Sequence, residues 1–306
     1  MEYQKKQMQE AAILYYEKKH TQSEIAKMMN LSRQTVSKLL NDAVKEKIVE
    51  IKIHNPEIDC KELEQKICDK FNISNAVICG ASSADEELCR IMTVKKAASY
   101  IQSIIEKGNQ KIAISWGRTI QKLIYEFSDI NTANNIVFPL FGATDQEQSY
   151  FLSNELARSF ADKIGARVKY AWFPYRPDSI GDCELFKKTS YYKSLRDLWN
   201  DIDVAIVGIG SREIIQTFGK VFGYNEKCTS AIGDISTHFF DKDGNVVELY
   251  ENTLCAERDN LKNAKQTIAV ASGKDKTEAI IGALRTQMID TLITDEYTAR
   301  SIVGLK

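Results

Sequence analysis

The sequence predicts a helix-turn-helix domain over residues 1–55, followed by a doubly wound, largely parallel α/β domain over residues 56–306. A length of 306 residues suits two domains. Helical periodicity broken by short polar turns dominates the first 45 residues, whereas short apolar runs alternate with helical segments from about residue 74. Such alternation is typical of a parallel sheet that is covered by helices on both faces.

The first domain is predicted from three consecutive helical segments. Residues 4–19 carry an apolar stripe at helical spacing. Thr21 and Glu24 have the spacing of a capping box, which predicts the start of a second helix. Ser32 can cap a third helix that continues to about Lys45. Two helices joined by so short a turn are typical of a helix-turn-helix.

In this motif the second helix of the pair lies in the major groove of double-stranded DNA. Arg33 can pair bidentately with guanine and Gln34 with adenine, while hydroxyl groups and Lys38 can hold phosphates. A net charge of +3 on residues 1–55 agrees with this interpretation, and the alternative is a helical hairpin whose polar face is only solvated. The predicted DNA-binding residues are Thr21, Ser32, Arg33, Gln34, Thr35, Ser37 and Lys38.

The strands and helices of the second domain are predicted from hydrophobic periodicity. The predicted strands are Ala76–Cys79, Lys111–Ser115, Asn135–Leu140, Arg167–Phe173, Val204–Gly208, Thr267–Ala271 and Thr291–Thr294, with Ile48–Ile53 closing the first domain. The predicted helices are Lys61–Lys70, Glu86–Lys107, Thr119–Phe127, Glu147–Ile164 and Lys276–Leu284. In such sheets, ligands bind in the loops at the carboxyl ends of the strands.

Several segments carry a family resemblance through their order and spacing. They are Leu14–Leu40, Ile114–Thr119, Val204–Gly210, Ile232–Ile235, Phe239–Gly244, Ala271–Ile280 and Thr294–Ala299. Together they resemble the SorC/DeoR-type family of bacterial sugar-responsive transcriptional regulators, over nearly the whole chain. The resemblance implies a sugar-phosphate isomerase/deaminase-like effector domain, a tetramer on operator DNA, and control by a phosphorylated sugar. It also implies a repressor of a carbohydrate-utilisation operon.

The loop Ser115–Thr119 supports an anionic ligand through its own chemistry. It follows a predicted strand and opens a helix, whose first N–H groups have no partner within the helix and can bind a phosphate. Gly117 allows the backbone to approach, and Ser115 and Thr119 offer hydroxyl groups. Arg118 either adds a positive charge or points to solvent, and without the resemblance the glycine could simply form a turn.

A second loop, Gly273–Lys276, repeats this arrangement after another predicted strand. Lys276 offers a second cation for the phosphate, although a lysine at the start of a helix can equally be solvated. Asp234 can accept hydrogen bonds from sugar hydroxyls or cap the segment that follows it. Gly208 and Gly210 keep a third strand end open.

One position departs from the family pattern. Phe141 stands where the members that respond to deoxyribose phosphate have a lysine able to form a Schiff base, and Gly142-Ala143 replaces the commoner Gly-Gly. An imine cannot form there, so we expect an effector that is held non-covalently or is not deoxyribose 5-phosphate. Phe141 belongs either to the core or to the floor of the pocket. The expected effector-binding residues are Ser115, Gly117, Arg118, Thr119, Phe141, Gly142, Gly208, Gly210, Asp234, Gly273 and Lys276.

Other classes of function are disfavoured by composition. The seven cysteines have no spacing typical of zinc or redox sites, and we predict no metal and no cofactor. The three histidines, His20, His54 and His238, form no catalytic pairing with carboxylates, so we expect a regulator rather than an isomerase-like enzyme. An effector-free DNA-binding protein is the other alternative. Apolar runs are too short to span a membrane and no signal segment is evident, so we expect a cytoplasmic protein.

Overall fold

The computed structural model describes residues 2–50, 60–80, 85–145, 147, 150, 152–213, 215–216 and 229–304. The chain divides into two compact units, residues 1–56 and 57–306. Among the described residues, no helix combines the length and apolar character needed to cross a membrane.

The first unit contains the three predicted helices. They are α1 (Glu2–Ala12), which continues into one π-helical turn (Ile13–Glu17), α2 (Gln22–Met28) and α3 (Arg33–Lys45). The helices close over a small core formed by Met8, Ala11, Ala12, Ile25, Ala26, Val36, Leu39, Leu40 and Ala43.

Both helix caps predicted for the first unit are present. The hydroxyl of Thr21 accepts a hydrogen bond from the Glu24 N–H, and the Glu24 carboxylate accepts one from the Thr21 N–H at 2.8 Å. The Ser32 hydroxyl accepts from the Thr35 N–H at 3.0 Å. The strand predicted at Ile48–Ile53 is not formed over its first residues, where Ile48 and Val49 lie in a bend. Residues 51–53 and the predicted boundary at residue 55 lie outside the described residues.

The second unit is built on a largely parallel sheet, as predicted. Its strands are β1 (Asn75–Cys79), β2 (Lys111–Ile114), β3 (Ile136–Pro139), β4 (Arg167–Val168), β5 (Val204–Ser211), β6 (Gly233–Ile235), β7 (His238–Phe240), β8 (Val246–Val247), β9 (Gln266–Val270) and β10 (Thr291–Asp295). The parallel strands have the order β1-β10-β9-β5-β2-β3-β4, and β6, β7 and β8 extend β5 in antiparallel fashion. This order places the carboxyl ends of β2, β5 and β9 side by side.

The helices of the second unit pack around this sheet. They are α4 (Lys61–Phe71), α5 (Glu86–Ile105), α6 (Arg118–Glu126), α7 (Ser153–Ile164), α8 (Ile180–Lys188), α9 (Ser190–Trp199), α10 (Arg258–Lys262), α11 (Thr277–Arg285) and α12 (Glu296–Val303). A 3₁₀ turn (Lys274–Lys276) precedes α11. Four helices, α8, α9, α10 and α12, and the hairpin strands β6, β7 and β8 were not predicted from the sequence.

One predicted strand is much shorter in the structure. Only Arg167–Val168 of the predicted Arg167–Phe173 forms β4, which lies at the edge of the sheet. Further along, the side-chain amide of Asn154 takes the place of a neighbouring strand. Its Oδ1 accepts from the Ala171 N–H at 2.9 Å and its Nδ2 donates to the Ala171 carbonyl at 3.0 Å.

Gly142 lies where two backbone segments approach too closely for a side chain. A Cβ atom there would lie 2.5 Å from the carbonyl carbon and oxygen of Pro174. We therefore expect Gly142→Ala to lower the free energy of unfolding by about 1–3 kcal/mol, the usual cost of overpacking. The measurement is urea or thermal unfolding followed by circular dichroism.

The control is Gly181→Ala. A Cβ atom at Gly181 meets its nearest neighbour, the Ser179 hydroxyl, at an ordinary 3.6 Å, so stability should be unchanged or slightly higher. Equal stability of the two variants would contradict the argument from close packing.

Candidate functional site

A cavity of about 300 Å³ lies at the carboxyl ends of β2, β5 and β9. Eight of the predicted effector-binding residues line it, although they come from four separate stretches of the chain. They are Ser115, Gly117, Arg118, Thr119, Gly208, Gly210, Asp234 and Lys276. The topology, rather than sequence proximity, therefore brings the predicted residues together.

One end of the cavity is formed by the start of α6. Gly117 precedes the helix with φ +113°, a conformation that favours glycine, and no side chain caps the helix. The first N–H groups of α6 consequently have no partner from within the helix. Ser115 is only 1% exposed, and its hydroxyl has no hydrogen-bond partner among the described residues. This end therefore combines uncapped N–H donors with a buried hydroxyl group.

The opposite wall is formed where β5 continues into the antiparallel pair with β6. Gly210 pairs with Asp234, whose side chain is 3% exposed and accepts a hydrogen bond from the Thr237 N–H at 3.2 Å. Burial raises the pKa of Asp234 to about 6, although the nearby Lys276 acts in the opposite direction. Asp234 is thus a buried carboxylate that is ionised at neutral pH.

Lys276 donates from its ammonium to the Ile209 carbonyl at 2.9 Å. Burial lowers the pKa of Lys276, and the carboxylates of Asp275 and Asp234 counteract this effect. The ammonium is therefore held at the end of β5.

The turn between β6 and β7 contributes a residue that the sequence analysis missed. Ser236 and Thr237 have φ values of +47° and +75°, which are uncommon for residues other than glycine. Ser236 lines the cavity, and its buried hydroxyl has no partner within the described ranges. Neither residue signals such a turn, since asparagine and glycine are the usual choices.

The rim of the cavity also includes charged residues of α5 that were not predicted. Arg90 Nη2 lies 2.7 Å from Asp275 Oδ1, and Lys122 Nζ lies 3.0 Å from Glu87 Oε1. Arg118 Nη2 lies 3.9 Å from a Glu213 carboxylate oxygen. The positive charges around the cavity are therefore accompanied by carboxylates, and α5 contributes to both kinds.

Gly273, although predicted as a ligand residue, does not line the cavity. Its N–H donates to Thr298 Oγ1 at 2.9 Å and to Asp295 Oδ2 at 3.3 Å. The Gly273 N–H thus joins the end of β9 to the start of α12.

Phe141 and Gly142 also lie outside the lining of the cavity. Phe141 is 2% exposed and packs edge-on against Trp116 and Tyr175, with ring centroids 6.0 and 5.7 Å away. Of the two alternatives for Phe141, this burial favours the core. Gly142 serves the close approach to Pro174 described above.

His238, the one histidine described in the second unit, contacts the backbone rather than the cavity. His238 is half-buried and its Nε2 lies 3.0 Å from the Ala256 carbonyl, while burial lowers its pKa to about 4. Within the described ranges, no group of three or more His, Cys, Asp or Glu residues is arranged to hold a metal ion.

The candidate DNA-contacting surface lies on α3. Arg33, Gln34 and Lys38 are exposed, and Ser37 is half-buried. Three of the predicted hydroxyl groups form hydrogen bonds within the protein. The Thr21 hydroxyl donates to the Glu24 carboxylate at 2.9 Å, and the hydroxyls of Ser32 and Thr35 bond to each other at 2.7 Å. The long side chains of α3 are therefore better placed to contact DNA than these three hydroxyl groups.

Two family models match this chain. The model described as "Putative sugar-binding domain" matches residues 55–304, and the model of sigma-70 region 4 matches residues 7–46. The second match covers the second half of α1 and all of α2 and α3.

Similar proteins include the sorbitol operon regulator of Klebsiella pneumoniae, which is 28% identical and covers 95% of this chain and 96% of its own length. The deoxyribonucleoside regulator of Bacillus subtilis is 25% identical and covers 99% of both chains. The crystal structure of the full-length sorbitol operon regulator SorC from Klebsiella pneumoniae matches with a TM-score of 0.74, 28% identity and 97% coverage of both chains.

These relatives are transcriptional regulators, which confirms the expectation of a regulator rather than an enzyme. The predicted fold class and the family resemblance are confirmed as well. The model of the sugar-binding-domain family matches most of the chain, so the chain belongs to that family. It is a DNA-binding transcriptional regulator of the SorC/DeoR type.

Proposed function

We propose that this regulator represses a carbohydrate-utilisation operon and that a phosphorylated sugar, bound non-covalently in the cavity of the second unit, controls it. The observation that carries the proposal is the buried hydroxyl of Ser115, which has no partner among the described residues, beside the uncapped start of α6. A buried polar group without a partner costs free energy, and a ligand oxygen can supply the missing partner.

The phosphate binds at the start of α6. The first N–H groups of the helix and the hydroxyls of Ser115 and Thr119 surround it, and Gly117 leaves room for the ligand because nothing lies within 4 Å of its Cβ position. Arg118, whose carboxylate neighbour is 3.9 Å away, adds charge.

The sugar hydroxyls lie against the opposite wall. Asp234 accepts hydrogen bonds there, Lys276 donates them, and the Ser236 hydroxyl can do either. Gly208 and Gly210 leave the end of β5 open between the two walls. An imine at the loop after β3 is impossible because Phe141 replaces lysine, so the effector is held by hydrogen bonds and charge alone.

The first unit binds double-stranded operator DNA through α3. The protein acts as a homo-oligomer, in line with the tetramer that the family resemblance implies, and its half-sites lie about 34–36 Å apart or at multiples of that distance. The effector changes DNA affinity only if it binds one arrangement of the subunits more tightly than another.

The first test is thermal unfolding with a panel of phosphorylated sugars and their unphosphorylated counterparts. A ligand at about 100 times its Kd should stabilise the protein by about 2.7 kcal/mol. Ser115→Ala should leave the free protein as stable as the wild type or more so, because it removes an unpartnered hydroxyl, but should reduce the ligand-induced shift.

Ser153→Ala is the matched control. Ser153 is equally buried, but its hydroxyl donates to the Gly142 carbonyl at 3.1 Å. This variant should lose about 1 kcal/mol of stability and keep the ligand-induced shift. No stabilisation by any phosphorylated sugar would contradict the proposal.

A second prediction concerns the ionisation of Asp234. Its pKa of about 6 in the folded protein lies above the ordinary 3.8, so the folded state binds the proton more tightly than the unfolded state does. The contribution of Asp234 to the free energy of unfolding therefore falls as pH rises from about 4 to 6. Asp234→Asn should therefore be more stable than the wild type at pH 7.5, by at most about 3 kcal/mol. It should also bind the effector more weakly.

The comparison is made by urea unfolding of both proteins at pH 7.5 and pH 5, where the difference should shrink. His238 acts in the opposite sense, since its lowered pKa removes stability as pH falls, but it is present in both proteins and cancels. A variant less stable than the wild type at pH 7.5 would disprove the assignment.

A third prediction concerns the recognition helix. Arg33→Ala should relax discrimination at one base pair at a cost of about 1–3 kcal/mol, whereas Lys38→Ala should weaken binding to all sequences and reduce the salt dependence by about one unit of slope. Gel-shift titrations at several salt concentrations measure both effects. Lys188→Ala, an exposed change on α8, is the control. Full operator binding by both α3 variants would show that α3 is not the helix that contacts the DNA bases.

A further inference from the structure

We propose that binding of the effector is coupled to the loss of a proton from Asp234, so that acidification weakens the response of the regulator to its effector. This inference rests on the proposed function and adds a form of regulation to the same cavity. It follows from the way in which the fold buries one carboxylate among groups that do not fully compensate its charge.

The carboxylate of Asp234 is poorly solvated and has few hydrogen bonds. Asp234 is 3% exposed, and Gly210, which lies opposite it in the β5–β6 pair, brings no side chain. Among the described residues, its one hydrogen-bond donor is the Thr237 N–H at 3.2 Å, although a carboxylate can accept about four hydrogen bonds. Burial with so few donors favours the protonated form and raises the pKa of Asp234 to about 6.

Lys276 is the cation that acts on this carboxylate in the described part of the chain. It lowers the pKa of Asp234, but not enough to offset burial. Its ammonium donates to the Ile209 carbonyl at 2.9 Å, and burial lowers its own pKa. The charge of Lys276 thus compensates the buried carboxylate only in part.

The other elements around Asp234 bring no second positive charge to it within the described ranges. His238 on β7 is neutral above about pH 4, because burial lowers its pKa to about 4. Burial also holds the pKa of the Tyr175 phenol well above its ordinary value, so this group is neutral. Helix α11 packs against β6, and its Glu278 is exposed. The arginines of the rim lie beside carboxylates, in the pairs Arg90–Asp275 and Arg118–Glu213.

A ligand hydroxyl that donates to Asp234 favours loss of its proton. The hydrogen bond to an ionised carboxylate is roughly twice as strong as a bond between neutral groups. The effector therefore lowers the pKa of Asp234, and by linkage a proton lowers the affinity for the effector by the same factor. A phosphate at the start of α6 acts in the opposite sense, but the uncapped N–H groups of that helix and Arg118 offset its charge.

The affinity for the effector therefore changes with pH. Above the pKa of about 6, Asp234 is already ionised in the free protein and the effector binds with full affinity. As pH falls through about 6, the effector must displace a proton, and its apparent affinity falls. More effector is then needed to release the same operator.

Isothermal titration calorimetry of the full-length protein and of Asp234→Asn tests this coupling. The ligands are fructose 6-phosphate, glucose 6-phosphate and ribose 5-phosphate, each at pH 5, pH 6 and pH 7.5. For a ligand that binds the wild type, Asp234→Asn should raise Kd on the order of tenfold at pH 7.5. At pH 5 the wild type also carries a proton, so the increase should be no more than about twofold. The ratio of the two Kd values cancels the titration of the phosphate itself.

Ser236→Ala is the matched control. Ser236 lines the same wall of the cavity, but its hydroxyl does not titrate in this range. The Kd of this variant relative to the wild type should therefore be the same at the three pH values. Circular dichroism at each pH shows whether the proteins are folded.

Proton release is measured directly by repeating the titrations at pH 6 in buffers of different ionisation enthalpy. About half of Asp234 is protonated at that pH in the free protein. The wild type should therefore release more protons per bound ligand than Asp234→Asn, by up to about one half. Ser236→Ala should release as many protons as the wild type.

Equal Kd ratios for Asp234→Asn at pH 5 and pH 7.5 overturn this inference and leave the proposed function standing. Equal proton release by this variant and the wild type has the same consequence. If none of the phosphorylated sugars binds the wild type at pH 7.5, the proposed function fails and the coupling fails with it.

Discussion

The cavity exists because β5 is longer than the strands beside it. The first part of β5 pairs with β2 and β9 in the parallel sheet, whereas its last three residues pair with β6 in the antiparallel direction. This extension carries the β6–β7 hairpin to the carboxyl edge of the sheet. Without it, Asp234 and Ser236 would not share a cavity with the loops that begin α6 and α11. The position is the one expected for ligands in open α/β sheets.

Unsatisfied polar groups give this cavity its capacity to bind. Buried polar groups are nearly always hydrogen-bonded, yet the hydroxyls of Ser115 and Ser236 have no partner among the described residues. Asp234 carries a charge that burial disfavours. These groups therefore lower the stability of the free protein. A ligand that forms hydrogen bonds with them would raise it.

Local features of the sequence predicted the structure well, whereas distant partners could not be foreseen. The Thr21 cap was predictable because its partner, Glu24, is three residues away. The parallel sheet followed from periodicity. In contrast, the hydrogen bonds of the Gly273 N–H could not be foreseen, because its partners Asp295 and Thr298 lie more than twenty residues later in the chain. The hairpin at Ser236 was missed because its positive φ angles occur without glycine or asparagine.

The pairing of β1 has a consequence for synthesis on the ribosome. Among the described strands, β1 pairs only with β10, and Asn75 lies opposite Thr291. Translation must therefore pass Thr291 before β1 has its neighbour, and such long-range pairing is slow to form. The helix-turn-helix unit has a core of its own within residues 2–50. A nascent chain thus completes its DNA-reading unit well before it has a cavity with which to sense a metabolite.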